Sequence, residues 1–572
     1  HTCERKGGGV SRRDYKVSEL VGMIERGDLQ LPEMQRKYVW TQTKVRDLLD
    51  SLYRDYPSGL ILTWQPPHDA DVETRAFAVD TDREDDSKPK LLLLDGQQRL
   101  TSLSSILRGE PVTVKDRKTP VEILFNLDHP EALTFITEVH DEERDEDAED
   151  QDSADLDPMV KVNQRAFVVH SNPVAALPNW VKVTDVFKMS DVDLIEAAGV
   201  TELRDPRYKK YSERLQRVRA IKDYIYRAEE LEPAKSYEEV TEIFVRVNSL
   251  GAKLRGSDLA LAQITAKWRG SLRQFEKYQA EVARRGFALD LGVHLRSLIA
   301  MTTGQSKFLT VGSLHQKALE SGWERSRRAF DFAVDFVTKS LHIDSPTLLS
   351  SPLLLITTAF WANQRGFEID PAEAAEFRRW FLIANFKGRY SRGSSESILD
   401  QDLAVLRNSG GAAELFQRLT QQMGRLDFTA ADLDGRTTQS GVFKAMFLVF
   451  KSRGAADWAT SLPISPKLAN KADKIEFHHV FPKKYLERAQ HGILDTAIND
   501  IANLAFISST TNKKITDKAP VDYRSNYPAS ALEAQLVRFA EWGDTADSFE
   551  SFKEKRREAI VSLLNDYVGE KN

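Results

Sequence analysis

The sequence predicts a multidomain α+β protein, and three observations carry that reading. The apolar run Leu91–Leu94 is cut by Asp95 and Gly96 and followed by helical spacing, which reads as strand, tight turn and helix. Beyond about residue 190 the apolar positions recur at helical intervals. From His478 onward the chain becomes compact and rich in Asn, Lys and turn residues. At 572 residues the chain is long enough for about three or four domains of ordinary size. The expected boundaries are 1–190 for an α/β domain, 191–462 for a largely helical connector and 463–572 for a third unit.

Each element has a local reason. Val45, Leu48, Leu49 and Leu52 fall at i, i+3, i+4 and i+7, one apolar helix face. The turn Pro57-Ser58-Gly59 then leads into a strand at Leu60–Trp64. Leu100, Leu103, Ile106 and Leu107 make the helix after the Asp95-Gly96 turn. Leu215, Val218, Ile221 and Ile225 are spaced for a further helix, and Phe377–Phe386 reads as an aromatic-rich buried one. Lys474 to Phe477 alternates as a strand does, ahead of His478 and His479.

Composition excludes several classes. No stretch approaches the roughly 18 apolar residues a membrane span needs, and the first residues contain no apolar segment of the secretory kind, so the chain reads as cytosolic. A lone cysteine, Cys3, forms no intrachain disulfide and excludes paired-cysteine zinc knuckles, so a metal must be held by His, Asp, Asn or Glu. The net charge of −6 speaks against a generic polycation, yet residues 141–157 alone carry −10, and 80–88 another −3. The stretch 465–527 is +3. The acidic block has little to bury and reads as a solvated loop.

Two clusters carry candidate chemistry. In the first, Asp95, Gly96, Gln97, Gln98 and Arg99 sit where a strand ends and a helix begins, a place where backbone N–H groups attract phosphate. Asp95 can hold a metal or orient water, the glutamines can bond a sugar or phosphate, and Arg99 offers a bidentate fork; the competing reading is a polar turn in which Arg99 caps local carbonyls. A second polar turn, Leu31 to Lys37, contains Gln35 and Arg36 and is followed by Tyr38 and Trp40. No Gly-x-x-x-x-Gly-Lys-[Ser/Thr] occurs, which excludes a P-loop NTPase. In the second cluster, His478 and His479 are followed by Asn503, twenty-four residues after His479, and by Asn512, nine further on, beside the pairs Lys483-Lys484 and Lys513-Lys514. Metal-assisted phosphodiester hydrolysis needs a neutral His to deprotonate water, a ligand set for the ion and a group that orients the base, and this spacing can supply all three.

The segment Leu31–Trp40, then "LLLLDGQQRLTSL" at 91–103, then "EIFVRVNSLGAKLRGSDLAL" at 242–261 resemble, in order, the N-terminal module of GmrSD-type modification-dependent restriction enzymes, a ParB-like nucleotide-binding domain. The resemblance implies that Asp95, Gly96, Gln97, Gln98 and Arg99 bind or hydrolyse an NTP, with GTP favoured. It implies that Gln35, Arg36, Tyr38 and Trp40 sense DNA or its modification. Phe244, Arg246, Asn248, Gly251 and Leu254 match the third motif, where Arg246 is expected at phosphate or, more plainly, in a salt bridge on a helix face. The C-terminal pattern resembles an HNH, or ββα-metal, nuclease. That likeness implies His478 and Asn512 as ligands of Mg²⁺ or Mn²⁺, His479 as general base, Asn503 as the residue holding the base in register, and Lys483, Lys484, Lys513 and Lys514 on the DNA backbone. Asn at 512, where His is commoner, is a departure from the pattern.

The function expected is an NTP-regulated endonuclease or nickase of antiphage restriction acting on modified double-stranded DNA. The modification is a sugar-decorated hydroxymethylcytosine or, in an SspE-like branch, a phosphorothioate, for which Met34, Tyr38 and Trp40 could offer a soft apolar patch. A homo-oligomer is compatible with this. Two alternatives stand beside it: a nucleotide-dependent DNA-binding regulator without cleavage, and an RNA-cleaving abortive-infection toxin.

Overall fold

The computed structural model describes residues 10–33, 40–67, 74–75, 77, 89–114, 119–131, 133, 162–250, 256–391, 393–466, 475–489 and 493–569. The chain folds as two compact units, His1–Gly270 and Ser271–Asn572. The acidic segments 80–88 and 141–157 lie outside the described residues.

The first unit contains β1 (Val10–Lys16), β2 (Leu29–Pro32), β3 (Ile61–Trp64), β4 (Thr74–Arg75), β5 (Leu91–Asp95), β6 (Ile123–Asn126), β7 (Phe167–Val169), β8 (Trp180–Lys182) and β9 (Ile225–Leu231). Six of them form a mixed sheet in the order β1-β9-β3-β5-β2-β4, and the other three an antiparallel sheet in the order β7-β6-β8. Strand alternation splits the four leucines of β5 between two cores. Leu91 and Leu93 join Leu48, Leu49, Leu100 and Leu103 on one face; Leu92 and Leu94 join Trp64, Tyr237, Val240 and Phe244 on the other. A strand covered on both faces must be apolar at every position, which is why the run is continuous.

The helix Gln42–Tyr53 buries Val45, Leu48, Leu49 and Leu52, as its spacing predicts. The helix Gln97–Leu107 starts at Gly96, whose φ of 102° favours glycine. A Cβ there would also run into the end of the buried Ile61 side chain.

One expected helical residue lies elsewhere. Leu215 and Val218 are buried on the helix Pro206–Arg219, and Ile221 on the 3₁₀ turn after it. Ile225 instead opens β9 and is 58% exposed. Chain direction changes at Tyr224, and from there Tyr226 and Ala228 point inward at strand spacing. β9 runs antiparallel to β1 and parallel to β3, an interior position set by partners distant in sequence.

The second unit is mainly helical. Its longest helix, Gln316–Ser340, buries Trp323, Phe330, Val334 and Val337. Phe377, Trp380 and Phe381 are fully buried on the helix Pro371–Phe386, which begins with Asp370 accepting from the N–H groups of Ala372 and Glu373 and with Pro371 in the first turn. The same unit holds β10 (Ile475–His479) and β11 (Leu504–Ser508), an antiparallel pair followed by the helix Ser509–Ile515. Behind them lies a core of Trp458, Val480, Phe481, Leu486, Phe549 and Phe552. No helix among the described residues is long and apolar enough to cross a membrane.

Candidate functional site

The β10–β11–helix arrangement puts the sequence-predicted residues of the second cluster on one small scaffold. Every residue of β11 is buried, and at its end Ser508 caps the following helix by accepting from the Thr511 N–H. Asp457 locks this corner. Its carboxylate accepts from the Ser508 and Thr460 N–H groups and from the hydroxyls of Thr511 and Thr460. Burial opposes its ionisation, but those donors outweigh burial and hold its pKa below the usual carboxylate range. Arg556, fully buried, donates to the carbonyls of Ala502, Leu504, Gln535 and Leu536 and so fixes the entry to β11.

On β10 the alternation of the strand separates the two histidines. His478 points inward and is 2% exposed, packed edge-on against Trp458 at 5.7 Å and Tyr523 at 6.0 Å. Its Nδ1 lies 2.8 Å from Asn512 Oδ1, and Asn512 Nδ2 donates to Glu476 Oε2 at 2.9 Å. Glu476 and His478 are two residues apart and share a strand face. His479 points the other way. Its Nε2 lies 2.9 Å from Asn499 Oδ1, while its Nδ1 makes no hydrogen bond among the described residues. Burial lowers the pKa of His478 to about 4, and it lowers that of His479 against the opposing Asn499 hydrogen bond. Both rings are therefore neutral at pH 7.

His478, His479 and Asn512 line one open cleft of about 390 Å³ with Phe477, Pro482, Lys483, Lys484, Thr516 and Asp517. His478 Nδ1 and Asn512 Oδ1, 2.8 Å apart, are hydrogen-bonded, and because an amide oxygen only accepts, Nδ1 carries the proton, so both atoms would have to give up this bond to take a divalent ion. No cluster of three or more His, Cys, Asp or Glu suited to a metal exists among the described residues. His478 and Asn512 alone do not make a closed structural metal site, and an ion held by this pair would keep most of its shell for water and phosphate.

Asn503, expected to hold the base in register, acts on the backbone and not on the ring. It is fully buried, accepts from the Phe481 N–H and donates to the carbonyls of Phe481 and Ile498. It braces the backbone just after His479, and the amide on the ring belongs to Asn499. Lys484, Lys513 and Lys514 stand exposed. Lys483 is committed to Asp495 at 2.9 Å and Glu487 at 3.8 Å.

The first cluster behaves differently. Arg99 donates to the carbonyls of Ser58 and Leu60 and to Asp95 Oδ2, and lies 5.6 Å over the Tyr226 ring. Three of its five N–H donors are thus engaged inside the fold, which is the placement of the competing reading, a polar turn in which Arg99 caps local carbonyls, here met across Gly59. Gln98 Oε1 accepts from the Trp40 N–H at 3.1 Å, and Trp40 packs partly buried against the core. Asp95 is half-exposed at the mouth of the turn. Gln35, Arg36 and Tyr38, with Met34, lie outside the described residues, as do Gly251 and Leu254. Arg246 pairs with Glu242 at 2.6 Å, one helical turn away, which is the plainer of its two expected placements.

Residues 17–265 match the family model of the GmrSD restriction endonuclease, N-terminal domain. The match supports a GmrSD-type restriction enzyme family. An uncharacterized protein of Methanocaldococcus jannaschii is 23% identical over 556 residues, which cover 90% of this chain and 87% of that relative. The GmrSD-type match contains β2, β3, β4, β5, the Asp95–Arg99 turn and β9, all strands of the large sheet except the edge strand β1.

Sequence reasoning missed three residues of the second cluster. Glu476 had a signal, its two-residue offset from His478 on the strand. Asn499 and Asp457 lie in segments without periodicity and become visible only through their contacts.

Proposed function

We propose that this protein is an NTP-regulated, modification-dependent DNA endonuclease that cuts at the β10–β11–helix site. The observation that carries the reading is His479: a neutral imidazole on an open cleft, its Nε2 anchored and its Nδ1 without a partner among the described residues, beside a second imidazole and an amide. His479 Nδ1 takes a proton from water as the water oxygen attacks phosphorus, and the P–O bond to the leaving oxygen breaks. Mg²⁺ or Mn²⁺, held by His478 and Asn512, would supply charge stabilisation at the phosphate and leaving oxygen. Lys484, Lys513 and Lys514 offer exposed charge to the neighbouring backbone phosphates.

In the first unit, the nucleotide reading rests on Asp95, Gly96, Gln97 and Gln98, with Arg99 holding the turn in shape rather than touching phosphate. Nucleotide turnover there would license cutting as a switch, separate from the bond-breaking step. Gln35, Arg36, Tyr38 and Trp40 are the proposed sensors of modified double-stranded DNA, whether glucosylated or phosphorothioated.

The test incubates the protein and Mg²⁺ with plasmid that is plain, glucosylated or phosphorothioated, with and without GTP, and counts nicks on a gel. Modified plasmid with GTP is expected to be cut, and His479→Ala to leave it intact. Cutting by His479→Ala at the wild-type rate would overturn the assignment.

A further inference from the structure

We infer that Asn499 is the positioning residue for the His479 base: its Oδ1 holds the ring as the Nε2–H tautomer and so leaves the Nδ1 lone pair facing the cleft. The inference rests on the nuclease reading of this site, but its structural half can be tested alone. A neutral imidazole carries one proton, and the hydrogen bond made by one nitrogen decides which nitrogen keeps the lone pair. His479 has one such bond among the described residues, from Nε2 to Asn499 Oδ1 at 2.9 Å. If the proton sat on Nδ1, that nitrogen could not accept one from water.

Asn499 is well placed to serve as a fixed point. Its N–H donates to the Asp495 carbonyl at 2.9 Å, closing the short helix Asp495–Ile498. The next residue, Asp500, accepts from the Ala502 N–H and pairs with Arg557. Three residues further on, Asn503 ties the Ile498 carbonyl to the Phe481 backbone, so the segment bearing the amide and the segment bearing the imidazole are braced by one buried side chain. Thus Asn503 fixes the distance between the two segments, and Asn499 uses that distance to orient the ring. Neither role substitutes for the other.

The experiment uses the full chain with ¹⁵N-labelled histidine and reads the His479 tautomer from long-range ¹H–¹⁵N correlations, assigned by loss of the signal in His479→Gln. The wild-type ring should be the Nε2–H form. Asn499→Leu should lose that preference and slow nicking about 10- to 100-fold in kcat, with KM for DNA unchanged. Asn499→Asp, which keeps an acceptor at the same place, should restore the tautomer. Asn499 is exposed, so both variants should keep the wild-type circular dichroism spectrum. An Nδ1–H ring in the wild type, or an Nε2–H ring retained in Asn499→Leu, overturns the inference whatever the nicking rates. Conversely, nicking that persists in His479→Ala removes the nuclease reading while the tautomer result stands on its own.

Discussion

The Asp95–Arg99 turn and the His478–Asn512 cluster both begin at the end of a strand, β5 in one case and β10 in the other, but the fold uses them in opposite ways. In the turn, the strongest hydrogen-bonding group, the Arg99 fork, is spent on the Ser58 and Leu60 carbonyls and on Asp95. In the cluster, His479 has a partner on Nε2 alone among the described residues, Asn499, whereas His478 and Asn512 are bonded to each other and Asn512 also to Glu476. A polar motif becomes a site only when its internal partners stop short of using every donor and acceptor.

Substitution at the two places should separate these uses. His479→Ala should cut DNA nicking about 10²- to 10⁴-fold, the range of a lost general base, while leaving unfolding in guanidinium unchanged. Arg99→Ala should do the reverse in kind. It strands two carbonyls and a carboxylate, so the first unit should lose about 3 kcal/mol of stability, measured by hydrogen exchange in β3 and β5. If Arg99→Ala kept full protection there and lost only nucleotide binding, the guanidinium would be a ligand group after all.

The same contrast explains what could be read from the sequence. β5 was legible because burial on both faces leaves a continuous apolar run, and the helix after it because Gly96 marks the turn. β9 was not, since Ile225 continues a helical spacing by coincidence and its strand state is imposed by β1 and β3. The pair His478 and Asn512 was legible from spacing. The division of labour between Asn499 and Asn503 was not, because both are asparagines in non-periodic chain and only the burial of one distinguishes brace from ring partner.

Histidines outside the site sharpen the comparison further. His294 is 1% exposed among Tyr278 and Phe330, with neither ring nitrogen hydrogen-bonded, and burial lowers its pKa from 6.5 to about 4. Above about pH 6.5 the unfolded and folded chains agree on its charge and its full stabilisation is present. As pH falls towards 4, the unfolded chain takes a proton that the folded one refuses, and up to about 3 kcal/mol is lost. His294→Leu should flatten the fall in unfolding free energy between pH 6.5 and 4. An unchanged slope would mean that the ring is already protonated in the fold or that other groups dominate.

The smallest effects are expected at the lysines, where they bear directly on how internal pairing withholds a group from a ligand. Lys484, which lines the cleft, and Lys513 and Lys514, which follow Asn512 on its helix, are exposed, whereas Lys483 is bound to Asp495 and Glu487. Each phosphate contact adds about 0.9 to the slope of log affinity against log salt concentration. Changing all three free lysines to Gln should therefore lower that slope by about 2 to 3, read by fluorescence anisotropy with catalytically inactive His479→Ala protein. Lys483→Gln should lower it by less than one, because its charge is already balanced by two carboxylates that would have to be released before it could meet a phosphate. Equal losses from Lys483 and from any one of the others would show that DNA competes successfully for an ion-paired lysine. In that case occupancy of a group in the free protein would not predict its use in the complex, and a phosphate could likewise draw Arg99 away from the Ser58 and Leu60 carbonyls.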